Sequence, residues 1–522
     1  MKRREMLIST GAAFLSLSAV PFRQDAAAQA HGGKTYYIDP LAGDDAADGL
    51  APSRAWKTYA SRGFSEGDTV LFKRGSVCRG VLDTRNGTDH APVTYGAYGE
   101  GDKPVFLGSV PADGPEHWVQ ERPSVWRYTG TFPSEVCNVV LNNGESCGIL
   151  RWRIEDLQQS GDWHYSGIGM HSSDGVRGDP DGVLYFCSAG NPGAVYASIE
   201  CVLWGARRMV GGSHVVLDNL SFQNSGVHGY FEVGARNVVI RNCEFRFIGG
   251  AVWSLKHRVR FGNAIEFWDG AADCTVEGCL FDNIYDSAVT HQGGGTRNIP
   301  ERLYFRDNLF IDCGLCAYEH REPAKEVYFE YNTCIHSGGG FSMQGMSPPR
   351  PSDPYPQPVG YHVFIFYIEP GTQPGPAYIR HNLFYESHGA AISAIIDPVD
   401  ERKIVIDHNG YWQTTGERLM QFTRLREGKT TTEAIQAHLS TGQPWPLDLW
   451  RSCRPSEFPR HQAESGQDRH SRVARPLFVD QAGGDYRQRA DSPCSSVGMR
   501  AHIRRTMRPG PSDSTPASVP SN

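Results

Sequence analysis

Two glutamates interrupt short runs of apolar, strand-like residues, and both are candidates for acid–base chemistry. Glu266 stands in AIEFW and Glu319 stands in AYEHR, each directly after an apolar residue. A third carboxylate, Asp286, shortly precedes the run AVTHQ, which lies between the other two in the chain. Carboxylates that share a site raise the pKa of one member, which can then protonate a leaving group while another acts as base or nucleophile. These three residues are the predicted catalytic set.

Alignment of AIEFW, AVTHQ, AYEHR and GFSMQ predicts that the two glutamates lie on one face of a sheet. Side chains alternate along a strand, so Glu266, Thr290, Glu319 and Ser342 point outward together. The residue before each of them is apolar or aromatic and points inward. The alignment therefore predicts a column of outward polar side chains with an apolar column behind it.

Polar and aromatic side chains of the kind that binds sugars accompany this column. Aromatic rings stack on sugar rings, while amides and carboxylates hydrogen-bond to hydroxyl groups. The predicted substrate-binding residues are His228, Tyr230, Trp268, Thr290, His291, Gln292, His320, Arg321 and Gln344. His228 and Tyr230 extend the column toward the N-terminus, and the alignment of their strand is uncertain by one residue. Alternation turns His291 and His320 inward, which makes them poor bases.

Taken singly, each carboxylate has an alternative interpretation as an ordinary outward residue, solvated or paired with Arg321 or Arg258. Glu266 and Glu319 are two coils apart, about 10 Å at the backbone, which is close to the carboxyl separation of an inverting glycosidase. Insertions at residues 250–262 and 345–362 flank the column, and insertions on a solenoid often border a binding face. The column as a set therefore favours function.

The column depends on an internal repeat of about two dozen residues. The segments VVLDNLSF, VVIRNCEF, CTVEGCLF, LYFRDNLF, VYFEYNTC, AYIRHNLF and IVIDHNGY share alternating apolar positions. Such a unit buries its apolar face only by stacking on its neighbours. The alignment treats as equivalent Asn219, Cys243, Cys279, Asn308, Asn332, Asn382 and Asn409. It predicts one inward stack of Phe222, Phe245, Phe281, Phe310, Cys334 and Phe384.

The repeats resemble those of secreted, pectate-lyase-like β-helix proteins. TYYIDPLAGDDAADGLAPSRAWKTYA resembles the opening coils of β-helix carbohydrate enzymes, and PLFVDQAGGDYRQRADSPCSSVG resembles a closing motif. The resemblance implies an all-β, right-handed parallel β-helix with an inserted β-rich subdomain. The predicted layout is an N-terminal cap and first coils at 31–110, the inserted subdomain at 111–205, the main β-helix with its groove at 206–412, a C-terminal extension and closing segment at 413–505, and a disordered tail at 506–522.

The resemblance implies a carbohydrate-active enzyme, although one architecture hosts several reactions. Glycoside hydrolysis by a carboxylate pair, without a metal or other cofactor, is favoured. The first alternative is a polysaccharide lyase that cleaves uronic-acid glycans by β-elimination, in which the glutamates hold calcium. The second is a non-catalytic, glycan-binding β-helix. The predicted partner in each case is a carbohydrate polymer or oligosaccharide.

Composition and the N-terminal residues predict the setting in which the protein acts. The 522-residue chain has a formal net charge of −7 and lacks a basic patch typical of nucleic-acid binding. Residues 1–30, with Arg3 and Arg4 ahead of GAAFLSLSAV, predict a twin-arginine-like signal peptide and a periplasmic or secreted protein. No later segment is long and apolar enough to predict a membrane span, and a monomer is expected. The thirteen cysteines are predicted to be mostly buried thiols, with one or two disulfides as the alternative.

Overall fold

The repeat units form short strands, and equivalent strands of successive units pair in parallel. The computed structural model describes residues 32–205, 207–256, 258–292, 298–339, 360–367, 375–414, 418–426 and 446–474. The predicted signal peptide, closing motif and C-terminal tail lie outside these residues. The parallel pairing confirms the predicted all-β, parallel β-helix architecture.

Three sheets make up the β-helix. Sheet I consists of Thr35–Ile38, Thr69–Lys73, Val93–Tyr98, Val215–Asp218, Val239–Arg241, Ala272–Glu277, Glu301–Arg306, Lys325–Glu330, Ala377–Arg380 and Ile404–Asp407. Sheet II consists of Val77–Arg79, Val105–Leu107, Ser109–Pro111, Val136–Leu141, Ser146–Cys147, Ile199–Leu203, Ser221–Ser225, Glu244–Ile248, Leu280–Ile284, Leu309–Cys313, Thr333–Ser337, Leu383–Ser387, Gly410–Trp412 and Arg472–Val473. Sheet III consists of Arg208–Val210, His228–Val233, Ile265–Trp268, Ser287–Gln292, Cys316–Arg321, Tyr361–Phe366, Ile392–Ile395, Met420–Leu425 and Leu447–Cys453.

The segment between residues 111 and 205 contributes a further five-stranded sheet. Its strands are Trp118–Arg122, Val125–Tyr128, Ile149–Leu150, Asp162–Tyr165 and Leu184–Cys187. The segment also supplies the antiparallel pair Val136–Leu141 and Ile199–Leu203 to sheet II. A hairpin, Ala251–Ser254 with Val259–Phe261, precedes the strand that carries Glu266.

Helices are few and short among the described residues. The α-helices are Pro192–Val195, Pro398–Glu401 and Phe458–Ser465, and the 3-10 turns are Pro52–Arg54, Pro115–His117, Asn142–Gly144, Ile154–Asp156 and Pro455–Glu457. No helix among the described residues is long and apolar enough to cross a membrane.

The predicted phenylalanine stack forms inside the β-helix. Strand registers place Phe222, Phe245, Phe281, Phe310, Cys334 and Phe384 in successive coils. Neighbouring rings are nearly parallel, with centroids 4.8 Å apart for the last phenylalanine pair, Phe281 and Phe310. Offset stacked rings at this spacing add specific attraction to the area that they bury.

One alignment position was wrong by a single residue. Asp218 pairs with Arg241, and Ser221 pairs with Glu244. The equivalent of Cys243 is therefore Leu220, whereas Asn219 occupies the preceding turn with a φ of 65°. Asparagine is one of the few residues that tolerates this left-handed conformation. In the alignment, this turn asparagine was therefore mistaken for one of the interior asparagines, such as Asn308.

Those interior asparagines form a hydrogen-bonded ladder across the later coils. The Oδ1 atom of Asn332 accepts hydrogen bonds from the backbone N–H (3.0 Å) and side chain (3.1 Å) of Asn308. Asn382 receives the same two bonds from Asn332, and Asn409 receives them from Asn382. Each described Nδ2 of the ladder also donates to a backbone carbonyl of the preceding coil, as Asn332 does to Phe305. The ladder thus satisfies turn groups that have no strand partner.

The cysteines confirm the prediction of buried thiols. The twelve cysteines among the described residues are free, and eleven of them are buried. Cys243 and Cys279 hold the ladder position in the coils before Asn308, and burial raises the pKa of the Cys279 thiol well above its ordinary value. These thiols fill interior volume.

We expect Asn332→Ala to destabilise the protein by at least about 2 kcal/mol, because it leaves the backbone N–H of Asn308 and the backbone carbonyl of Phe305, both in the preceding coil, without their partners. Chemical denaturation followed by circular dichroism measures the change. The matched control is Asn298→Ala at an exposed asparagine, for which a change within about 0.5 kcal/mol is expected. Equal losses in the two variants would show that the ladder does not stabilise the fold.

Candidate active site

Sheet III carries both glutamates at one position of the strand register. Glu266 pairs with Thr290, and Thr290 pairs with Glu319. On the opposite face of the same strands, Ile265 and Val289 belong to the hydrophobic core. The predicted outward column is therefore confirmed for these three polar residues.

The position beside Glu319, which the alignment assigned to Ser342, is occupied by another residue. Tyr361–Phe366 pairs with Cys316–Arg321 and places Phe364 next to Glu319, whereas GFSMQ lies outside the described residues. Phe364 and Phe366 are buried in an apolar cluster with Tyr361 and Ile395. The polar column thus ends within one strand of Glu319. Ser342 and the predicted binding residue Gln344 lie outside the described residues.

The carboxyl group of Glu266 is buried between an amide and an imidazole, with 3% of the residue exposed. Asn263 Nδ2 donates to its Oε2 at 3.1 Å, and His228 Nδ1 is 3.0 Å from the same oxygen. Burial and, after it, the charge of Arg207 lower the pKa of His228 to about 3, so the imidazole is neutral. The backbone N–H of Asn263 donates to His228 Nδ1 at 3.2 Å. This nitrogen therefore accepts its hydrogen bond from the backbone, and the neutral ring lies directly beside the carboxyl group of Glu266.

The pKa of Glu266 agrees with that geometry. Burial raises it to about 7, although the hydrogen bond from Asn263 and the charge of Arg321 oppose the shift. A carboxyl group with this pKa exists in both protonation states near neutral pH, as a general acid requires.

Glu319 lies in a different polar environment, with 2% of the residue exposed. Three side chains of the adjacent strand donate to its Oε2: Ser287 (2.9 Å), Thr290 (3.3 Å) and Gln292 (3.4 Å). Its Oε1 is buried without a hydrogen bond and lies 3.7 Å from Arg321 Nη1. Burial raises the pKa of Glu319 to about 7, Arg321 opposes the shift, and Asp286 adds to it. Three donors and an arginine favour the carboxylate form relative to Glu266.

Asp286 lies within electrostatic range of both glutamates. Its charge raises the pKa of Glu266, Glu319 and His228. Glu266 and Glu319 lie two strands apart, roughly 10 Å at the backbone, and the carboxyl group of Glu319 reaches back to side chains of the strand between them.

Three predicted substrate-binding residues lie inside the β-helix, and their prediction was wrong. His320 Nδ1 contacts Tyr318 Oη at 2.7 Å and His291 Nε2 at 3.2 Å, while its Nε2 contacts Tyr367 Oη at 3.1 Å. Both histidines are fully buried. Tyr230 is also fully buried and donates to the backbone oxygen of Gly212 at 2.7 Å. Their places in the strand alternation turn them away from the column, and the residue beside Glu266 is Phe231.

Aromatic and basic residues that sequence reasoning missed border the column on its N-terminal side. Phe231 stacks on His228 with ring centroids 5.1 Å apart, and it lies 6.2 Å from Trp268, which was predicted to bind substrate. The guanidinium of Arg207 lies 4.4 Å from the centre of the Phe231 ring. The half-buried Trp268 and exposed Arg207 are accessible to a ligand. The outward position of Phe231 could have been predicted from the sequence, because Phe231 directly follows the inward Tyr230 and side chains alternate along a strand.

The segment 111–205 supplies one more buried carboxyl group, which sequence reasoning also missed. Glu135 is fully buried, its Oε1 accepts from the N–H of Gly169 at 2.8 Å, and its Oε2 has no hydrogen-bond partner. Burial raises its pKa to about 7. Its backbone oxygen accepts from the N–H of Trp204, whose ring stacks on His171 at 3.9 Å. Glu135 thus ties the loop at Gly169 to the chain that carries Trp204.

The arrangement provides two buried carboxyl groups of similar pKa, two arginines and an aromatic border. Among the described residues, the three carboxylates of the column do not form a group with ligand atoms close enough to share a metal ion.

No family model matches the sequence, and a search of curated proteins returns no match. Among solved structures, the chain is similar to a GH136 lacto-N-biosidase from Eubacterium ramulus, with 14% identity and a TM-score of 0.40 over 74% of this chain and 65% of that chain. It is also similar to a structure of XylC with xylose (12% identity, TM-score 0.41, 75% and 71% of the two chains) and to a family 28 exopolygalacturonase from Yersinia enterocolitica (11%, 0.31, 76% and 76%). The chain spans less than two thirds of the lacto-N-biosidase. At these values the similarities carry no argument about reaction or substrate, and the β-helix architecture rests on the strand pairing.

Proposed function

We propose that the protein is a carbohydrate-cleaving enzyme that hydrolyses a glycosidic bond with Glu266 and Glu319 as its carboxyl pair. The observation that carries the proposal is the placement of two nearly inaccessible glutamates, each with a pKa near 7, in one column of sheet III. Burial of a carboxyl group lowers stability, and proteins keep such a cost where function requires it. Strongly shifted pKa values concentrate at functional sites. A non-catalytic glycan-binding β-helix does not require such a pair.

The surroundings of the two glutamates assign them different roles. Glu266 faces a neutral imidazole and is the proposed general acid, which protonates the departing glycosidic oxygen. Glu319 accepts three side-chain hydrogen bonds and is the proposed base, which takes a proton from the attacking water. As general acid and general base, the two residues would act by inversion at the anomeric carbon, without a covalent intermediate. Asp286 strengthens the proton affinity of both groups.

A polysaccharide lyase is the second candidate, and the two arginines favour it. Arg207 and Arg321 both act on the charge of Glu266, and guanidinium groups pair well with the carboxylate of a uronic acid. In this reading, Arg321 neutralises the substrate carboxylate during β-elimination, with or without calcium. For either reaction we propose a monomer that acts outside the cytoplasm on a carbohydrate polymer or oligosaccharide.

A screen of the purified protein against neutral and uronic-acid polysaccharides separates the two reactions. Hydrolysis produces new reducing ends without ultraviolet absorbance, whereas β-elimination also produces an absorbing unsaturated sugar. We expect reducing ends alone, unchanged by a chelator. Ultraviolet-absorbing products would replace the hydrolase proposal by the lyase.

Glu266→Gln and Glu319→Gln are each expected to lower kcat on the cleaved polysaccharide by about 10²–10⁴-fold, because each removes one proton-transfer group. The control variant is Glu100→Gln at an exposed glutamate, which is expected to keep full activity. Retention of activity in both site variants, with folding confirmed by circular dichroism, would remove these glutamates from the catalytic mechanism.

The separate roles predict opposite responses to the leaving group. On an aryl glycoside whose phenol departs without protonation, Glu266→Gln is expected to recover most of the activity that it loses on the polysaccharide. Glu319→Gln is expected to remain slow on the same substrate and to be accelerated by added azide, which replaces the activated water. The rate of phenol release measures both effects, and the reverse pattern would exchange the two roles.

The raised pKa values also predict how stability depends on pH. Burial places the pKa of each folded glutamate at about 7 against an ordinary value of 4.5. The folded state therefore binds more protons between these values, and its stability falls as the pH rises through this window. Relative to the wild type, each Gln variant is expected to gain on the order of 1–3 kcal/mol between pH 5 and pH 8. Denaturation at both pH values tests this, and an unchanged pH dependence in both variants would contradict the burial argument.

A further inference from the structure

A column of imidazoles lies on the outside of the β-helix, at the turn that follows sheet I. Tyr331, His381 and His408 hold equivalent positions in successive coils, with φ values of 57°, 58° and 56°. The rings of Tyr331 and His381 stack with centroids 4.9 Å apart, and the His408 ring lies tilted at 4.7 Å from His381. His470 stacks on His408 with centroids 4.5 Å apart. His470 reaches this position because Arg472 pairs with Gly410 as the last described strand of sheet II. The stacking distance is close to the spacing of the coils.

Asp407 directs its carboxylate at the last two imidazoles. Its Oδ1 accepts from the backbone N–H groups of His408 (2.8 Å) and His470 (2.7 Å). Its Oδ2 lies 2.8 Å from His470 Nδ1 and 3.3 Å from His408 Nδ1. Two backbone donors thus orient the carboxylate so that one oxygen and two ring nitrogens converge.

The basic residue that is paired with Asp407 in the strand register does not form an ion pair with its carboxylate. Arg380 pairs with Asp407 in the strand register but forms its ion pair with Glu330 of the coil before. Asp407 is instead surrounded by imidazoles, which become metal ligands when they lose the Nδ1 proton.

We propose that Asp407, His408 and His470 bind a divalent transition metal ion such as Zn²⁺. Their three ligand atoms lie within 4.8 Å of one another. Tetrahedral ligands at ordinary Zn–N and Zn–O distances are roughly 3.4 Å apart, so small side-chain movements complete the site. Two imidazoles and a carboxylate select zinc, copper or nickel over calcium or magnesium. His408 and His470 are exposed, which leaves the fourth position to water.

The bound ion would fasten the C-terminal segment to the last repeat. His470 follows the helix Phe458–Ser465, and its neighbour Ser471 accepts the N–H of Asn409 at the end of the asparagine ladder. An ion held by residues 407, 408 and 470 closes a chain segment of about sixty residues, so it binds the folded state far better than the unfolded chain. The site is separate from the glutamate column and stabilises the end of the β-helix.

Calorimetric titration of the full chain, without a histidine tag and after treatment with a chelator, tests the proposal with Zn²⁺ as the probe. We expect one ion per chain and a rise of about 3–5 °C in the thermal midpoint at a hundredfold excess over Kd. His408→Ala and His470→Ala are each expected to weaken binding at least about tenfold and to abolish the thermal shift. The matched control is His381→Ala, which removes a stacked ring but none of the three ligands and is expected to bind normally.

Cobalt provides a readout that does not depend on stability. Tetrahedral Co²⁺ absorbs strongly in the visible range, and this absorbance is expected in the wild type and the His381→Ala variant but not in His470→Ala. Absence of Zn²⁺ binding at 100 μM or so, far above the Kd of a structural site, would overturn the proposal. Binding that persists in both His408→Ala and His470→Ala would also overturn it.

Discussion

Parallel pairing of successive coils in one register is the constraint on which the rest of the structure depends. Neighbouring coils are about 4.8 Å apart, so residues at equivalent positions stack directly on one another. Phenylalanines so placed form an interior stack, and asparagines form a hydrogen-bonded ladder. The same rule applies outside, where it aligns Glu266 with Glu319 across Thr290 and stacks His408 on His470.

This regularity allows the fold to hold groups that oppose its stability. Each glutamate of the column is nearly inaccessible and has a pKa near 7, so its charge near neutral pH is poorly solvated. The strands around them are fixed by pairing on both sides and by the apolar interior behind the sheet. The carboxyl groups therefore keep their geometry without relaxing toward solvent, which is the property that catalysis by preorganised groups requires.

The insertions make the site asymmetric. On the N-terminal side of Glu266, Phe231, Trp268 and Arg207 present aromatic and cationic surface. Beyond Glu319, the outward position belongs to Phe364, which is buried in an apolar cluster. The polar surface therefore extends from Glu319 toward the N-terminal coils. The segment 111–205 holds Trp204 and His171 in ring contact, and the buried Glu135 accepts the N–H of Trp204.

Much of this could be predicted from the repeats, and the errors have physical causes. The alternation of residues correctly predicted the β-helix, the interior phenylalanines and the Glu266–Thr290–Glu319 column. It failed by one residue at Asn219, because asparagine suits both a left-handed turn and the interior ladder. It failed for Tyr230 because the register of that strand was ambiguous. It failed after Glu319 because an insertion delays the next strand to Tyr361–Phe366.

The sequence by itself determined which residues face inward or outward in each coil, since a period of two and a repeat of about two dozen residues are written in residue types. Only the tertiary structure decided which atoms meet. His228 at Glu266, the three donors at Glu319 and the meeting of His470 with Asp407 join residues from different coils. Such contacts depend on rotamers, on burial and on how insertions return to the β-helix, and a one-dimensional period carries no information about these distances.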